Sequence, residues 1–352
     1  MRFFKKIENY ISNIKLNAQL NKYKYVHIMF NDKFNKPFVD FLNKNFDNNE
    51  HIILCKRWFV EFPFPVGKNV FEIKTLKNLD FAKNEKIICH SLFDQELVDY
   101  LYSNQSLLKA KAYWIIWGGD LYNALRDEKN DFVRKNFKGY LTDFDVEVAQ
   151  DKYGIIGKPF YCIHAIFPIT KEMLIFCQKQ DNKYTKIQIN NSCDESTLEM
   201  LDVLSRFKNE NIKITTILSY GETQFKDEII QKGKENFGDK FEYIEDYMTP
   251  SEYAQHLAQN DILILNQNRQ QGVGNTIASI SLGKKVYIRS DISAFKILRD
   301  FNINIFDTKL ISKMEFKDFI QNNDFENNKK YAMKFFDNNY KASLWKVVFD
   351  AK

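Results

Sequence analysis

The sequence predicts an α/β protein made of two doubly wound, Rossmann-like domains in tandem. Apolar runs rich in Ile, Val and aromatic residues alternate with segments whose apolar residues recur at helical spacing. Within these runs hydrophobicity is continuous, as in parallel strands that are buried on both faces. The chain has 352 residues and is 44% hydrophobic, which allows two separate cores.

Residues 1–24 form a basic amphipathic segment ahead of the first predicted strand. Apolar residues recur at helical spacing from Phe3 to Ile14, and six basic residues stand against the single acidic residue Glu8. The net charge of this segment equals that of the whole chain, +5, so the rest of the chain is close to neutral. Nucleic-acid binding is therefore not expected. The segment suits the surface of an anionic membrane, and packing on its own domain is the alternative.

The first domain is predicted over residues 25–175. Its buried strands are expected at residues 25–30, 51–55, 86–93 and 113–118. A helical pattern over residues 94–110 separates the last two strands. This is the β-α-β order of a parallel sheet.

The second domain is predicted over residues 184–325, with strands and helices in strict alternation. The strands are expected at residues 185–190, 213–220, 241–244, 261–266 and 285–289, and the helices at residues 196–207, 225–237, 251–259 and 276–283. Two such domains facing a central cleft make the GT-B architecture of sugar-transfer enzymes. The aromatic, helical pattern of residues 326–352 can cross back onto the first domain.

Neither a metal nor another cofactor is expected. The five cysteines include no C-x-x-C pair, which favours a reducing compartment over a zinc site or a disulfide framework. Asp143 and Asp145 match the metal-binding D-x-D of another sugar-transfer fold, but they lie in a helix-like segment of a chain without that fold's single-domain order. Without an apolar run of about 20 residues or a cleavable signal, we expect a cytoplasmic protein.

The turn after residues 261–266 is the main candidate for a ligand site. It contains Asn268, Arg269, Gln270, Gln271, Gly272, Gly274, Asn275 and Thr276. The glycines permit close approach to the first amides of the next helix, where the helix dipole favours phosphate, and Arg269 adds a bidentate cation. Tight packing of helix on strand is the alternative explanation of the glycines. Four large polar residues in sequence favour a pocket for the diphosphate of a nucleotide sugar.

Two more turns of the second domain should end at the same edge of its sheet. After residues 185–190, Asn191, Ser192, Asp194 or Ser196 can cap the next helix and leave amide groups free. After residues 213–220, Gly221 beside Tyr220 permits close approach of a ligand to the backbone. Residues 245–248 lie where a nucleobase can stack or form hydrogen bonds.

In the first domain, the turn after residues 113–118 carries the candidate catalytic residue. Asp120 is either the N-cap of the following helix or a general base that takes the proton of an acceptor hydroxyl, and the two roles are compatible. His90 and the pair Asn31 and Asp32 also end strands. They are expected to be structural or to orient the acceptor.

These stretches resemble glycosyltransferase family 56, the transferases of 4-acetamido-4,6-dideoxygalactose (Fuc4NAc). The resemblance rests on HSLFDQEL (90–97), WIIWGGDLY (114–122), INNSCDES (189–196), ILSYG (217–221) and NQNRQQGVGNTIASISLGKKVYIR (266–289) and covers roughly residues 25–300. It matches Trp117, Gly118, Asp120 and Tyr122 on the acceptor side, and Asn191, Ser192, Asp194, Tyr220, Gly221, Arg269, Gln270, Gln271, Gly274 and Asn275 on the donor side. Both glycines of the family's G-N-S-G-D are replaced here, by Asn190 and Cys193.

The resemblance implies a metal-independent GT-B glycosyltransferase. It would move Fuc4NAc or a similar deoxyamino sugar from a thymidine-diphosphate or other nucleoside-diphosphate donor to a lipid-linked or surface glycan. The reaction would take place at the inner face of the cytoplasmic membrane. Whether it inverts or retains configuration stays open, and with retention Asp120 would only orient the acceptor. The alternatives are a nucleotide-sugar epimerase of the same plan and a non-catalytic sugar-nucleotide-binding assembly protein.

Overall fold

The computed structural model describes residues 13–123, 125–162, 169–177, 183–321 and 326–352. The chain divides into two compact units. The first comprises Met1–Pro168 and Asn338–Lys352, and the second comprises Ile169–Asp337. The first half of the basic amphipathic segment, residues 1–12, lies outside the described residues.

The first unit is built on a parallel sheet with the strand order β3-β2-β1-β4-β5-β6-β7 among its described residues. The strands are β1 (Tyr25–Phe30), β2 (His51–Lys56), β3 (Val70–Glu72), β4 (Lys86–His90), β5 (Ala112–Ile115), β6 (Gly139–Thr142) and β7 (Lys158–Tyr161). The helices are α1 (residues 13–20), α2 (Asn35–Asn45), α3 (Gln95–Ser103), α4 (Gln105–Lys111), α5 (Gly119–Tyr122), α6 (Glu128–Lys135) and a π-helix (Val148–Lys152).

The second unit repeats this plan with the strand order β10-β9-β8-β11-β12-β13. The strands are β8 (Thr185–Ile189), β9 (Ile212–Ile217), β10 (Phe241–Ile244), β11 (Ile262–Leu265), β12 (Lys285–Ile288) and β13 (Phe306–Asp307). The α-helices are α7 (Lys171–Phe176), α8 (Ser196–Ser205), α9 (Lys226–Phe237), α10 (Pro250–Gln259), α11 (Val273–Ser281), α12 (Ser293–Asp300), α13 (Phe316–Ile320) and α14 (Glu326–Ala332). The 3₁₀ turns are Thr223–Phe225, Gly238–Lys240, Thr308–Lys313 and Met333–Phe336.

The described end of the basic segment packs on its own unit. Leu16 and Leu20 of α1 are buried in the core beside β1 and β4. The Asn13 side chain donates hydrogen bonds to the carbonyls of Thr75 and Lys77 at 3.3 and 2.8 Å. For residues 13–20, the structure therefore favours packing over contact with lipid.

The C-terminal helix α15 (Asn338–Asp350) also packs on the first unit. Its buried residues Trp345, Val348 and Phe349 join the core on the face of the sheet that α2 covers. Trp345 lies against Phe38 with the ring centroids 5.0 Å apart. The last helix of the chain therefore completes the core that the first strands begin.

All the strands predicted from the sequence are present, in two parallel sheets, which confirms the α/β class. The prediction missed β3, β6, β7 and β13, which span only two to four residues each. Runs this short carry too few apolar residues to show a pattern. In both sheets the first strand lies between the second and the fourth. The second and third strands are therefore added on one side of β1 or β8, and the later strands on the other side.

Candidate functional site

The second unit has the geometry of a ligand-binding edge between β8 and β11. The chain runs from β8 to β9 and β10 on one side and then places β11 on the other side. In open parallel sheets, ligands bind at such a point, beyond the carboxyl ends of the strands. The amide of Asn190 donates to the carbonyl of Ile264 at 2.7 Å, which keeps the turns after β8 and β11 side by side.

Asn190 ties these two turns together. Its φ is +53°, in the left-handed region that Asn tolerates better than most residues. Its Oδ1 accepts a hydrogen bond from the amide of Asn266 at 2.8 Å. Its Nδ2 donates to the hydroxyls of Ser196 and Thr197 at 3.1 and 2.9 Å. Sequence reasoning missed this role, for which an Asn at the end of an apolar strand is the only signal.

Asn191, Tyr220 and Gly221 bring the turn after β9 to the same edge. Asn191 Nδ2 donates to the Tyr220 hydroxyl at 2.9 Å, and its Oδ1 accepts from Gln267 Nε2 at 3.3 Å. Gly221 has a φ of +104°, and a Cβ atom on it would lie 2.4 Å from the carbonyl oxygen of Cys193. Only glycine fits this contact between the two turns.

The start of α11 lies beside these turns. Gly272 precedes the helix with a φ of +68°, and a Cβ atom on it would be 3.2 Å from Asn191 Oδ1. No side chain among the described residues caps this helix. Its first amide groups therefore have no intrahelical acceptor and carry the positive end of the helix dipole.

Arg269 and Gln271 add polar groups next to this helix start. Arg269 makes no hydrogen bond or ion pair within the described part of the chain. Gln271 Nε2 donates to Ser192 Oγ at 2.8 Å, whereas its Oε1 is buried and has no partner among the same residues. A buried oxygen without a donor costs free energy, which a ligand that donates a hydrogen bond to it would recover.

The other predicted donor residues occupy the edges of this site. Asp194 Oδ1 accepts from the amide of Ser196, the first residue of α8, at 2.9 Å. Thr276 is buried in the first turn of α11 and Asn268 is exposed. Intermediate exposure is shared by Gln270, Gly274 and Asn275. The predicted donor residues thus lie in the turns after β8, β9 and β11 and in the first turn of α11.

A buried polar network supports Asn190 from within the sheet. Gln188 of β8 is fully buried, and its Nε2 donates to the Asn190 carbonyl at 2.8 Å and to the Tyr253 hydroxyl at 3.1 Å. Its Oε1 lies 3.1 Å from His256 Nε2. Burial lowers the pKa of His256 to about 4, so the ring is neutral near pH 7 and can donate this hydrogen bond.

Asp120, the predicted general base, is engaged within the protein. The residue is 1% exposed. Its Oδ2 accepts from Trp114 Nε1 at 2.8 Å and the amide of Leu92 at 3.0 Å, and its Oδ1 accepts from the amide of Trp117 at 2.8 Å. Burial raises its pKa against the effect of these bonds. Both oxygens accept hydrogen bonds and the residue is buried, so Asp120 holds the turns after β4 and β5 together.

Asp32 has the free oxygen that Asp120 lacks. It follows β1, at the point where the strand order of the first sheet reverses. Its Oδ1 accepts from the amides of Phe34 and Asn35 at 2.8 and 2.9 Å, and its Oδ2 has no hydrogen bond within the described residues. Burial raises the pKa of Asp32 to about 6, although both amide bonds and Lys33 lower it. A carboxylate with this pKa is suited to accept a proton near neutral pH.

His90 belongs to a buried chain of three histidines. Its Nε2 lies 3.0 Å from His27 Nδ1, and His27 Nε2 lies 3.1 Å from His51 Nδ1. Burial lowers the pKa of His27 well below its usual value and that of His51 to about 4, so these two rings are neutral near pH 7. Between two neutral rings a contact needs one donor and one acceptor, so His27 and His51 carry their protons on the same type of nitrogen. His90 is thus part of the core that α2 and α15 cover.

The remaining acceptor-side residues frame the turn after β5. Trp117 packs edge-on against Phe34 with the ring centroids 5.3 Å apart, and Gly118 has a φ of +83° before α5. The Tyr122 hydroxyl donates to Asp145 Oδ1 at 2.6 Å. Asp145 is therefore engaged within the protein, just after β6.

Two searches of the described residues bear on metals and membranes. No three His, Cys, Asp or Glu side chains there form a group that could hold a metal ion. No helix in the same part of the chain is long and apolar enough to cross a membrane.

Comparison with known sequences identifies one family. The family described as 4-alpha-L-fucosyltransferase, glycosyl transferase group 56, matches residues 66–352, which is most of the chain. This range includes all five stretches on which the resemblance rests. No curated protein matches the sequence significantly.

Known structures share the architecture. The UDP-forming alpha,alpha-trehalose-phosphate synthase of Burkholderia vietnamiensis has a TM-score of 0.64 at 8% identity, over 93% of this chain and 99% of its own. HepE of Anabaena, solved with UDP and glucose, has a TM-score of 0.62 at 10% identity, over 93% of this chain and 100% of its own. Sucrose-phosphate synthase of Thermosynechococcus elongatus has a TM-score of 0.64 at 8% identity, over 93% of this chain and 100% of its own. At such identities the likeness shows the fold alone, which is α/β GT-B.

Proposed function

Because this chain belongs to glycosyl transferase group 56 and is a glycosyltransferase, we propose that it transfers a deoxyamino sugar similar to Fuc4NAc. The donor is a thymidine-diphosphate sugar or another nucleoside-diphosphate sugar. The acceptor is a lipid-linked or surface glycan at the inner face of the cytoplasmic membrane. The resemblance of the sequence motifs to the Fuc4NAc transferases supports the sugar and the acceptor.

The observation that carries the proposal is the uncapped start of α11 beside Arg269. Amides without acceptors and a guanidinium without a partner in the described chain are the groups that bind a diphosphate. As the bond from the sugar to the diphosphate breaks, negative charge grows on the leaving oxygen. Donors that are already in position stabilise this charge without reorganising, which is electrostatic catalysis.

Two tyrosines are suited to bind the nucleobase. Tyr220 is 38% exposed after β9 and Tyr247 is 58% exposed after β10, and these strands are neighbours in the sheet. An exposed aromatic face can stack on any base. This supports the prediction that residues 245–248 contact the base, and it leaves the choice among thymidine, uridine and guanosine donors to experiment.

On the acceptor side we assign the general base to Asp32 instead of Asp120. Its unbonded Oδ2 and its pKa of about 6 fit removal of a proton from an acceptor hydroxyl. Asp120 acts through Leu92 and Trp117 as a positioning residue.

The donor site is tested by thermal-shift measurements with TDP-, UDP- and GDP-sugars. A ligand at 100 times its Kd stabilises the folded state by roughly 2.7 kcal/mol, so the correct donor class should raise the Tm clearly. Arg269→Ala should weaken donor binding at least tenfold and leave the Tm without ligand unchanged, because Arg269 has no partner to lose within the described residues.

Arg299→Ala is the matched control, since Arg299 is an exposed arginine of the same unit, bonded to Asn304. It should bind the donor as the wild type does. A wild-type protein that no nucleotide sugar stabilises, or an Arg269→Ala protein that binds the donor normally, would refute the donor site. Isomerisation of the donor in the absence of acceptor would indicate the epimerase alternative.

A further inference from the structure

Trp58, in the loop after β2, has one ring face covered and is still exposed. Its ring stacks on the buried Phe30 ring, with the centroids 4.3 Å apart and an angle of 7° between the planes. The residue is nevertheless 42% exposed. Phe30 thus fixes the orientation of the Trp58 ring and leaves the opposite face for a ligand. The face of an aromatic ring carries partial negative charge, which attracts the slightly positive C–H groups on one side of a sugar ring.

The loop that carries Trp58 is fixed to the turn after β1 by the fully buried Asn31. Asn31 Oδ1 accepts hydrogen bonds from the amides of Trp58 and Phe59 at 2.7 and 3.1 Å. Its Nδ2 donates to the carbonyls of Phe59 and Phe62 at 2.5 and 3.0 Å. Asn31 directly precedes Asp32 in the chain. The loop with Trp58 and the carboxylate of Asp32 are therefore held by the same turn.

The turn after β4 adds a second exposed ring and an unsatisfied hydroxyl. Phe93 is 49% exposed, and its ring centroid lies 6.5 Å from that of Phe30. A Cβ atom on Gly119 would be 2.9 Å from Phe93 Cζ, so this ring rests against the turn after β5. Ser91 is 2% exposed with a φ of +82°, and its hydroxyl has no hydrogen-bond partner in the described chain. Strained backbone of this kind clusters at ligand-binding sites.

The charges around the loop favour a neutral occupant that carries hydroxyl groups. The cations at the end of β2 are already paired with acidic side chains, Arg57 with Glu72 and Lys56 with Asp94 and Glu96. Glu61, three residues after Trp58, is exposed. An anionic lipid surface would meet this carboxylate without a free cation at the end of β2. A neutral sugar ring offers C–H groups to an aromatic face and hydroxyls that donate to carboxylates.

We infer that Trp58 is the platform on which a sugar ring of the acceptor stacks, and that it thereby determines which acceptors are used. Trp58, Asp32 and Phe93 follow β2, β1 and β4, and the strand order reverses beside β1, where open parallel sheets bind ligands. Stacking fixes the plane of the sugar ring, which limits the hydroxyls that can reach Asp32. The inference rests on the proposed function for the transfer reaction and for the role of Asp32.

Saturation-transfer NMR with methyl glycosides of neutral hexoses and N-acetylhexosamines, added one at a time, tests the platform. At least one glycoside should receive saturation from the wild-type protein, mainly at the C–H groups of one ring face. Trp58→Leu keeps an apolar side chain but has no ring face, so it should weaken this binding at least tenfold. Trp58→Phe should restore most of the binding, because it supplies a smaller ring face.

Steady-state transfer to the glycoside that binds gives a second readout. With the nucleotide sugar that stabilises the wild type, Trp58→Leu should raise the KM for the glycoside at least tenfold and change kcat less than threefold. A purely structural role of Trp58 would also lower the response to the donor, which should stay at the wild-type level. A fall in kcat at an unchanged KM would contradict the inference.

Tyr184→Leu is the matched control, since Tyr184 is an aromatic residue of similar exposure, 38%, just before β8 in the second unit. It should bind the glycosides as the wild type does. The inference is overturned if no glycoside binds the wild type or if Trp58→Leu binds normally. It is also overturned if Val60→Asp, at a 97% exposed position of the same loop, weakens binding as much as Trp58→Leu. Trp58 would then act through the shape of the loop and not through its ring.

Failure of this inference can be distinguished from failure of the proposed function. Donor binding that depends on Arg269, together with a wild-type acceptor KM in Trp58→Leu, would uphold sugar transfer and refute the platform. Glycoside binding that depends on Trp58, in a protein that no nucleotide sugar stabilises, would leave the platform in place and refute the donor site.

Discussion

Asp32 and Asp120 show how surroundings give one residue type two different uses. Both lie where strands of the first sheet end, and both are at least nine-tenths buried. Asp120 is bonded at both oxygens by groups of β5 and of the turns after β4 and β5, whereas Asp32 keeps Oδ2 without a bond in the described chain. At the scale of single residues, the free lone pairs decide which carboxylate can accept a proton.

Asp32→Asn should abolish most of the transfer and leave donor binding intact. In the wild type, kcat/KM should rise with pH through about 6, where Asp32 loses its proton, and then level off. A rate loss of about 10²–10⁴-fold is expected for removal of a general base. Asp40→Asn, an exposed carboxylate of α2 paired with Lys36, is the control and should keep the wild-type rate and pH profile. Full activity of Asp32→Asn would refute the assignment.

The same substitution should raise stability at neutral pH. The pKa of Asp32 is raised from 3.8 to about 6 in the folded state, so the wild type loses stability as pH rises from below 4 through 6. About two pKa units correspond to at most about 3 kcal/mol. Urea unfolding should show Asp32→Asn more stable than the wild type at pH 7.5 and little different at pH 3.5. A difference that does not change with pH would contradict the raised pKa.

Gly221→Ala should disrupt the contact between the turns after β8 and β9. Its φ of +104° and the 2.4 Å approach of a Cβ atom to the Cys193 carbonyl require both turns to move. We expect a loss of about 3 kcal/mol in the free energy of unfolding and weaker donor binding. Gly283→Ala is the control, because Gly283 follows α11 with a φ of +73° and no atom lies within 4 Å of the added Cβ. It should cost about 1 kcal/mol and leave donor binding unchanged.

At the scale of elements, the ends of strands were easier to predict than the short strands themselves. Continuous apolar runs such as β1 and β11 are local patterns, and the turns after them follow directly in the sequence. The role of Asn190 could not be predicted, because its partners Asn266 and Thr197 belong to other elements. Likewise, nothing in the sequence near Gln188 indicates that α10 supplies its partners.

Gln188→Leu should separate the support of the donor site from the site itself. The change leaves the Tyr253 hydroxyl, the His256 ring and the Asn190 carbonyl without this partner and should cost about 2–4 kcal/mol. Because Asn190 positions both turns, the KM for the donor should rise more than kcat falls, at a temperature where the variant is fully folded.

Gln231→Leu on α9 is the control for this prediction, since its side chain is exposed and bonds only to Glu235 in the described structure. It should leave both the stability and the KM nearly unchanged. If Gln188→Leu lowers stability but keeps the wild-type KM, then the network supports the fold without positioning the donor site.

At the scale of the whole molecule, the first unit completes its core with a segment distant in sequence. The C-terminal helix α15 belongs to this unit and covers the buried histidines. The ring centroids of His51 and Phe349 are 4.6 Å apart, and those of Phe38 and His90 are also 4.6 Å apart. The core of the first unit therefore depends on the last residues of the chain.

Trp345→Ala should destabilise the first unit. The side chain is fully buried against Phe38 and Phe349, so its removal leaves a cavity and should cost about 3–5 kcal/mol. Val347→Ala on the same helix is the control, because Val347 is 60% exposed and should change stability by less than about 0.5 kcal/mol. Equal stabilities of the two variants, measured by urea unfolding, would show that α15 is not part of the core.

The sequence by itself determined the α/β class, the order of the main strands along the chain, the family and the position of the polar turn before α11. Each of these depends on residues that are neighbours in the chain. Only the tertiary structure decided which carboxylates accept hydrogen bonds at both oxygens and how Asn190 and Gln188 hold the turns of the proposed donor site. These properties depend on burial and on hydrogen bonds between distant residues, such as Asp120 with Leu92 and Asn31 with Phe59. A residue's type and local pattern do not reveal which distant groups will surround it after folding.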